Sequence, residues 1–206
     1  MAAADPPYVV ILGAGAIGVS FAACFLDAGA RVTLVEPDKT RHGGLGTALK
    51  TQQDAIKTAG LAASLAGDLA IASAPPGDLA QSTIVLECGP ERLEVKQATF
   101  AEMLAKTGDG TVLATASSAI PMSRILPAPA DQARCLVTHP VNPPAALRLV
   151  ELAPAPATSP AVVAKAAGIF ASLGFTTVTL HHEVEGFILN RLQGAVLREA
   201  YRLVDD

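Results

Sequence analysis

The first residues able to do chemistry are the glycines of Val9-Val10-Ile11-Leu12-Gly13-Ala14-Gly15-Ala16-Ile17-Gly18. A strand pattern runs here into G-x-G-x-x-G and then into a helical pattern. In that setting Gly13 permits the tight turn, Gly15 lets the backbone approach a pyrophosphate, and Gly18 allows close contact between helix and strand. The turn from Gly13 through Ala14, Gly15, Ala16 and Ile17 would offer free N–H groups and the positive end of a helix dipole to phosphates. A second strand pattern ends in Glu36, where an acid should meet the adenosine ribose diol. The competing reading is a glycine turn without a ligand, but the strand before it, the helix after it and Glu36 favour a dinucleotide. A carboxylate at Glu36 repels a 2′-phosphate, so NAD is expected over NADP, with Lys39 and Arg41 close enough in sequence to soften the preference.

Other candidates carry less. His181-His182 resemble a metal pair, but neighbours on a strand point to opposite faces and no third ligand is evident. Both are expected at the solvent edge, as is His42, and no metal site is expected. Cys24, Cys88 and Cys135 are widely spaced and set in apolar contexts. They read as reduced packing residues of a cytoplasmic protein.

These residues must be positioned by the rest of the chain. Of 206 residues, half are hydrophobic and 17% are charged, enough apolar surface for a sizeable core. Tyr8 to Leu12, Arg31 to Val35, Thr83 to Glu87, Thr111 to Thr115, Arg134 to Thr138 and Phe175 to Leu180 read as strands. Their near-continuous hydrophobicity suits a parallel sheet covered on both faces. Helical patterns lie between them, at Ile17 to Ala28, Asp38 to Ala59, Glu91 to Lys106 and Pro160 to Leu173. This alternation predicts an α/β fold of the Rossmann type, doubly wound and mostly parallel. Pro140 to Pro160 reads as loop, and Leu61 to Ala66 as filler. From Phe187 to Val204 apolar residues recur on one face of an amphipathic helix.

Fifteen basic residues against nineteen acidic ones give a formal charge of −4, which argues against a nucleic-acid partner. Only 4% of residues are aromatic and none is Trp, so stacking platforms for bases are equally unsupported. No apolar run reaches the ~18 residues of a membrane span, and Met1 to Pro7 lacks the basic and apolar regions of a secretory leader.

Further motifs carry a resemblance. TIVLECGPERLEVKQ at Thr83 to Gln97 is followed by Ser117-Ser118-Ala119-Ile120-Pro121 and by THPVNPP at Thr138 to Pro144. LVEL at Leu149 to Leu152 and EGFILNRLQGAVLREAYRLVDD at the end complete the set. In this order and spacing the chain resembles the 3-hydroxyacyl-CoA dehydrogenase family. Its HPVNPP form is most similar to the branch containing L-gulonate 3-dehydrogenase and lambda-crystallin. The resemblance implies NAD-dependent oxidation of a secondary alcohol at carbon 3, or the reverse reduction. It implies His139 as the catalytic histidine, Glu151 as the acid that orients it, and Ser118 and Asn190 as polar groups near the substrate. Glu91, Lys96, Ser118 and Asn142 would line the nicotinamide half of the cofactor.

The implied roles are chemically coherent. An imidazole suits the removal of a hydroxyl proton as hydride departs, and a carboxylate on its other nitrogen fixes the tautomer. Ser118 and the Asn190 amide could donate to the developing carbonyl oxygen or hold the imidazole. Duller readings stand beside these. His139 could bond a loop carbonyl, Glu151 could be a surface acid, and Ser118 could cap a helix starting near Pro121. Lys96 and Glu91 could be an exposed pair.

The chain departs from the family pattern at two places. Ala145-Ala146-Leu147-Arg148 replaces an aromatic and a proline, so Arg148 could serve a carboxylate substrate. Gly89 replaces a larger aliphatic residue, which should loosen the nicotinamide wall. The family also implies an all-helical second domain. Residues 1–184 would then be the NAD-binding domain and residues 185–206 the first helix of the second. Cofactor binding is expected to survive in this chain, with turnover weak or absent. The expected partner is a small 3-hydroxy acid or a 3-hydroxyacyl-CoA, and a homodimer is possible. The competing functions are a dehydrogenase of CoA thioesters specifically and a non-catalytic NAD-binding, crystallin-like module.

Overall fold

The computed structural model describes residues 6–205. The reading of Met1 to Pro7 therefore lies, for residues 1–5, outside the described residues. Eight strands form one sheet: β1 (Tyr8–Leu12), β2 (Arg31–Val35), β3 (Asp68–Ala72), β4 (Ile84–Glu87), β5 (Val112–Thr115), β6 (Cys135–Pro140), β7 (Leu149–Pro154) and β8 (Thr176–Thr179). Their spatial order is β3-β2-β1-β4-β5-β6-β7-β8. Every neighbouring pair is parallel except β6 and β7. The helices are α1 (Ala16–Asp27), α2 (His42–Thr58), α3 (Leu93–Lys106), the single turns α4 (Met122–Ile125) and α5 (Pro129–Gln132), α6 (Pro160–Ser172) and α7 (Leu189–Asp205).

The central strands β1, β4, β5 and β6 are buried along their length. This is why their sequences are apolar throughout: each face lies under helices. On one face Phe21, Phe25, Phe170 and Phe175 interlock beneath α1 and α6, with ring centroids 5.7–6.4 Å apart. On the other, Phe100, Met103, Met122 and Phe187 join Val10, Val85, Leu113 and Val137.

Two strands escape the sequence reading. Strand β3 is a largely exposed edge, with Leu69 and Ile71 36% and 37% accessible, and its short apolar run follows the Ala-rich stretch that reads as filler. Strand β7 lies inside the proline-rich stretch read as loop. Its prolines sit at or beyond its ends, where they interrupt no ladder. Strand order reverses between β1 and β4, and a cleft opens there past their carboxyl ends.

Candidate active site

At the β1 end of that cleft, Gly13 has φ +108°, and a Cβ there would stand 2.7 Å from the Cys88 carbonyl oxygen. A Cβ at Gly18 would stand 2.0 Å from the Gly13 carbonyl oxygen. Both glycines are therefore imposed by the fold itself. Gly15 differs, since nothing lies within 4 Å of the corresponding point. It caps α1 with open space before it, the room that a pyrophosphate approaching the helix N-terminus needs. Gly13, Ala14, Gly15, Glu36, Arg41 and Gly89 line a cavity of 450 Å³. An apolar recess of 240 Å³ adjoins it, walled by Leu12, Val35, Pro37, Pro90, Val95 and Thr99. Ala16 opens α1 and, with Ile17, contributes its first turn. The cradle, the recess and the acid beyond them fit a dinucleotide.

Glu36 follows β2 and is only 4% exposed. Its Oε1 accepts from the Asp38 N–H at 3.1 Å, and its Oε2 lies 2.6 Å from Arg41 Nη1. His42, expected at the solvent edge, is half-buried, with Nε2 2.7 Å from the Glu36 carbonyl oxygen. It braces the turn after β2. Gly89 lines the Glu36 side of the cleft rather than only loosening a nicotinamide wall. Its N–H donates to Glu87 Oε1 at 2.7 Å, where a Cβ would stand 2.8 Å from the same oxygen.

Further along the cleft, Lys96 is 1% exposed and is no surface partner of Glu91. Its ammonium lies 2.8 Å from Glu87 Oε2 and 3.3 Å from Glu91 Oε2. Thr115 completes the cluster by donating to Glu87 Oε2 at 2.6 Å. Glu87 was missed in the sequence, although an acid closing an otherwise apolar buried strand is a signal that it needs a partner. Glu91 Oε1 in turn accepts from the Ser117 hydroxyl and from the N–H groups of Ser118 and Ala119. Burial would push the Glu91 carboxyl up, but the Ser117 hydroxyl, Lys96 and the Ala119 N–H hold it below the usual range. Ser118 does not cap α4, whose N-cap is Pro121 without a side-chain hydrogen bond; the Ser117 Oγ closes the preceding turn by accepting from the Ile120 N–H at 2.8 Å. Ser118 is left exposed at the rim.

His139 lies within β6, directly across the ladder from Glu151 on β7. An antiparallel pair brings such neighbours to about 5 Å between Cβ atoms, and Nδ1 meets Glu151 Oε2 at 2.7 Å. Both residues are buried, at 4% and 3% exposure, so neither is a loop or surface group. The other carboxylate oxygen accepts from the N–H groups of Ile188 and Leu189 at 2.9 and 3.0 Å. Phe187, fully buried at φ +49°, sets its ring 5.3 Å from the imidazole. Glu151 thus ties the imidazole to the start of α7. The Asn190 amide donates to the Ser118 carbonyl oxygen at 2.8 Å and does not hold the imidazole. Asn142 is exposed in the β6–β7 connection.

Arg148 turns away from a substrate role. Its Nη1 donates to the Leu173 carbonyl oxygen at 2.7 Å, and its guanidinium lies 5.1 Å from the Phe175 ring centre. His181 and His182 lie past β8, both exposed. The three cysteines are unpaired, and burial pushes the Cys24 and Cys135 thiols up to about 12. No helix among the described residues is long and apolar enough to cross a membrane.

Residues 8–184 match the family model described as 3-hydroxyacyl-CoA dehydrogenase, NAD binding domain. The chain belongs to this family. It is 34% identical over 197 residues to a 3-hydroxyacyl-CoA dehydrogenase of Gibberella moniliformis, covering 95% of this chain and 61% of that protein. It is 36% identical over 205 residues to the lambda-crystallin of Oryctolagus cuniculus, covering 96% and 64%. The structure of 5-formyl-3-hydroxy-2-methylpyridine 4-carboxylic acid 5-dehydrogenase superposes with a TM-score of 0.88 at 25% identity, over 97% of this chain and 65% of that one. The chain thus spans somewhat less than two thirds of these proteins. As a 3-hydroxyacyl-CoA dehydrogenase NAD binding domain, it has NAD as its cofactor, and the glycine cradle fits that group.

Proposed function

We propose that this domain serves an NAD-dependent dehydrogenase that oxidises the 3-hydroxyl of a small L-3-hydroxy acid or 3-hydroxyacyl thioester, or reduces the corresponding ketone. The observation that carries this reading is the buried His139–Glu151 pair at the carboxyl end of β6, in the sheet whose glycine cradle fits the dinucleotide. When bound, NAD supplies the hydride acceptor.

The chain's own residues do the rest. Glu151 accepts from Nδ1–H of His139, which leaves Nε2 to take the substrate hydroxyl proton as hydride leaves carbon 3. The carboxylate then stabilises the imidazolium. Glu91, held by Ser117 and Lys96, supports the nicotinamide end, with Ser118 and Asn142 at its rim. Asn190 acts through Ser118, fixing the loop that carries it. A module that only binds NAD has no need of a buried imidazole–carboxylate pair, and this favours an enzyme over a crystallin-like scaffold.

A small acid is favoured over a CoA thioester because the basic residues near α2, Arg41, Lys50 and Lys57, are sparse. Arg41 pairs with Glu36, and Lys50 with Asp54 at 2.8 Å. In this reading residues 1–184 form the cofactor domain, and α7, in residues 185–206, opens a helical second unit. Its exposed Leu192, Val196 and Leu197 support that role. A homodimer, the absence of a nucleic-acid partner and a cytoplasmic setting for the three free thiols belong to the same proposal.

NADH absorbance with a panel of 3-hydroxy acids and 3-hydroxyacyl-CoAs tests it. His139→Ala should lower kcat by about 10²–10⁴-fold with NAD affinity retained, and Glu151→Gln should lower it in the same direction. Equal turnover in wild type and His139→Ala would overturn the assignment.

A further inference from the structure

Glu36 is the group expected to turn NADP away, yet its charge is not free to do so. One carboxylate oxygen accepts from the Asp38 N–H, and the other lies 2.6 Å from the Arg41 guanidinium. The second terminal nitrogen of Arg41 reaches the Ala14 carbonyl oxygen at 3.3 Å. The guanidinium therefore spans the acid that faces the adenosine ribose and the first peptide of the glycine turn. Glu36 and Arg41 together carry no net charge at that point of the cleft. The Arg41 side chain is 52% exposed while that of Glu36 is only 6% exposed, so the arginine is the partner able to move.

There is also room beside it. Arg41, Ala14 and Gly15 belong to the wall of the 450 Å³ cavity and equally to that of a neighbouring 520 Å³ cavity over Thr40, Gly44 and Ala48. The guanidinium stands between two open volumes, at the ribose end of the cradle. A planar fork of N–H donors is the side chain best matched to a phosphate dianion.

We infer that Arg41 is a specificity-determining residue that takes the 2′-phosphate of NADP, so that the cleft accepts NADP alongside NAD in spite of Glu36. The inference rests on the glycine cradle being the dinucleotide site. Lys39, in the same short turn but in neither cavity wall, should contribute only diffuse charge.

Calorimetric titration of the chain with NAD, NADP, 5′-AMP and 2′,5′-ADP tests this without any turnover. Wild type should bind NADP within about tenfold of NAD. Arg41→Ala should weaken NADP and 2′,5′-ADP, relative to NAD and 5′-AMP, by about tenfold or more. Lys39→Ala should leave the NADP-to-NAD ratio nearly unchanged, and raised salt should weaken NADP more than NAD. Arg41→Gln, which keeps a polar side chain without the charge, should repeat the result should the alanine variant melt early. A ratio unchanged in both Arg41 variants overturns the inference alone. So does an equal loss in Lys39→Ala, or a wild type that binds NAD but not NADP. Failure to bind either dinucleotide overturns the cradle assignment as well.

Discussion

Gly15 and Gly18 look interchangeable in the motif but do different work. A side chain at Gly18 would collide with the Gly13 backbone at 2.0 Å, whereas one at Gly15 would meet nothing from the protein. Gly15→Ala should therefore melt within a degree or two of wild type, or rise slightly from a stiffer unfolded chain. Its added methyl group stands where the pyrophosphate must approach, so NAD affinity should fall by about tenfold or more. Gly18→Ala should lose about 2–4 kcal/mol of stability through overpacking and backbone shift. Thermal melts beside calorimetric titration separate the two cases. A Gly15→Ala variant that binds NAD normally would place the pyrophosphate elsewhere. Single residues also account for the misreadings: Lys96 is charged, and charge in a sequence reads as surface, while Arg148, read as a substrate group, spends its guanidinium on the Leu173 carbonyl. Lys96 is buried because Glu87, Glu91 and Thr115 surround its ammonium.

The β6–β7 pair is the element that makes the imidazole–carboxylate contact. In a parallel crossover the two residues would be fed from the same edge, with a helix between them. The antiparallel return instead sets His139 and Glu151 opposite each other only twelve residues apart. A second element-level device joins β4, α3 and β5, where Glu87, Lys96 and Thr115 clamp the strand ends beneath the cleft. Removing one member strands a charge in the interior. Lys96→Met should cost about 3–5 kcal/mol, whereas Lys96→Met combined with Glu87→Leu should recover much of that loss. Denaturant unfolding of the single and double variants measures the difference. If the single variant loses less than about 1 kcal/mol, the cluster is open to water. The turn into α7 is held from β6 and β7. The Phe187 ring packs on His139, and the next two N–H groups reach Glu151.

At the scale of the whole molecule, one sheet carries both the cofactor cleft and the pair proposed to act on substrate, while α7 projects from it with no buried residue. Leu192 and Val196 are 61% and 68% exposed, so replacing both by Glu should change the stability of this chain by less than about 1 kcal/mol. A loss well above that in urea unfolding would mean that the helix packs on the sheet domain. The strands β1, β2, β4, β5 and β6, the long helices and the glycine turn were legible in the sequence, because burial on both faces writes itself as apolar runs and helices as a repeat near every fourth residue; the exposed edge strand β8 was legible from its β-branched residues. The edge strand β3, whose short run Leu69 to Ala72 follows Ala-rich filler, and the proline-flanked β7 stayed hidden. The amino-acid sequence by itself determined the doubly wound core and the cradle, since both follow from local pattern. Tertiary structure alone decided that Arg41 pairs with Glu36 and Lys96 with Glu87, and it supplied the geometry of the His139–Glu151 pair that the family motifs implied. The first two contacts depend on how a turn and a helix fold back on the strand ends, and the last on the β6–β7 register, where a shift of a single residue would send each side chain to the opposite face.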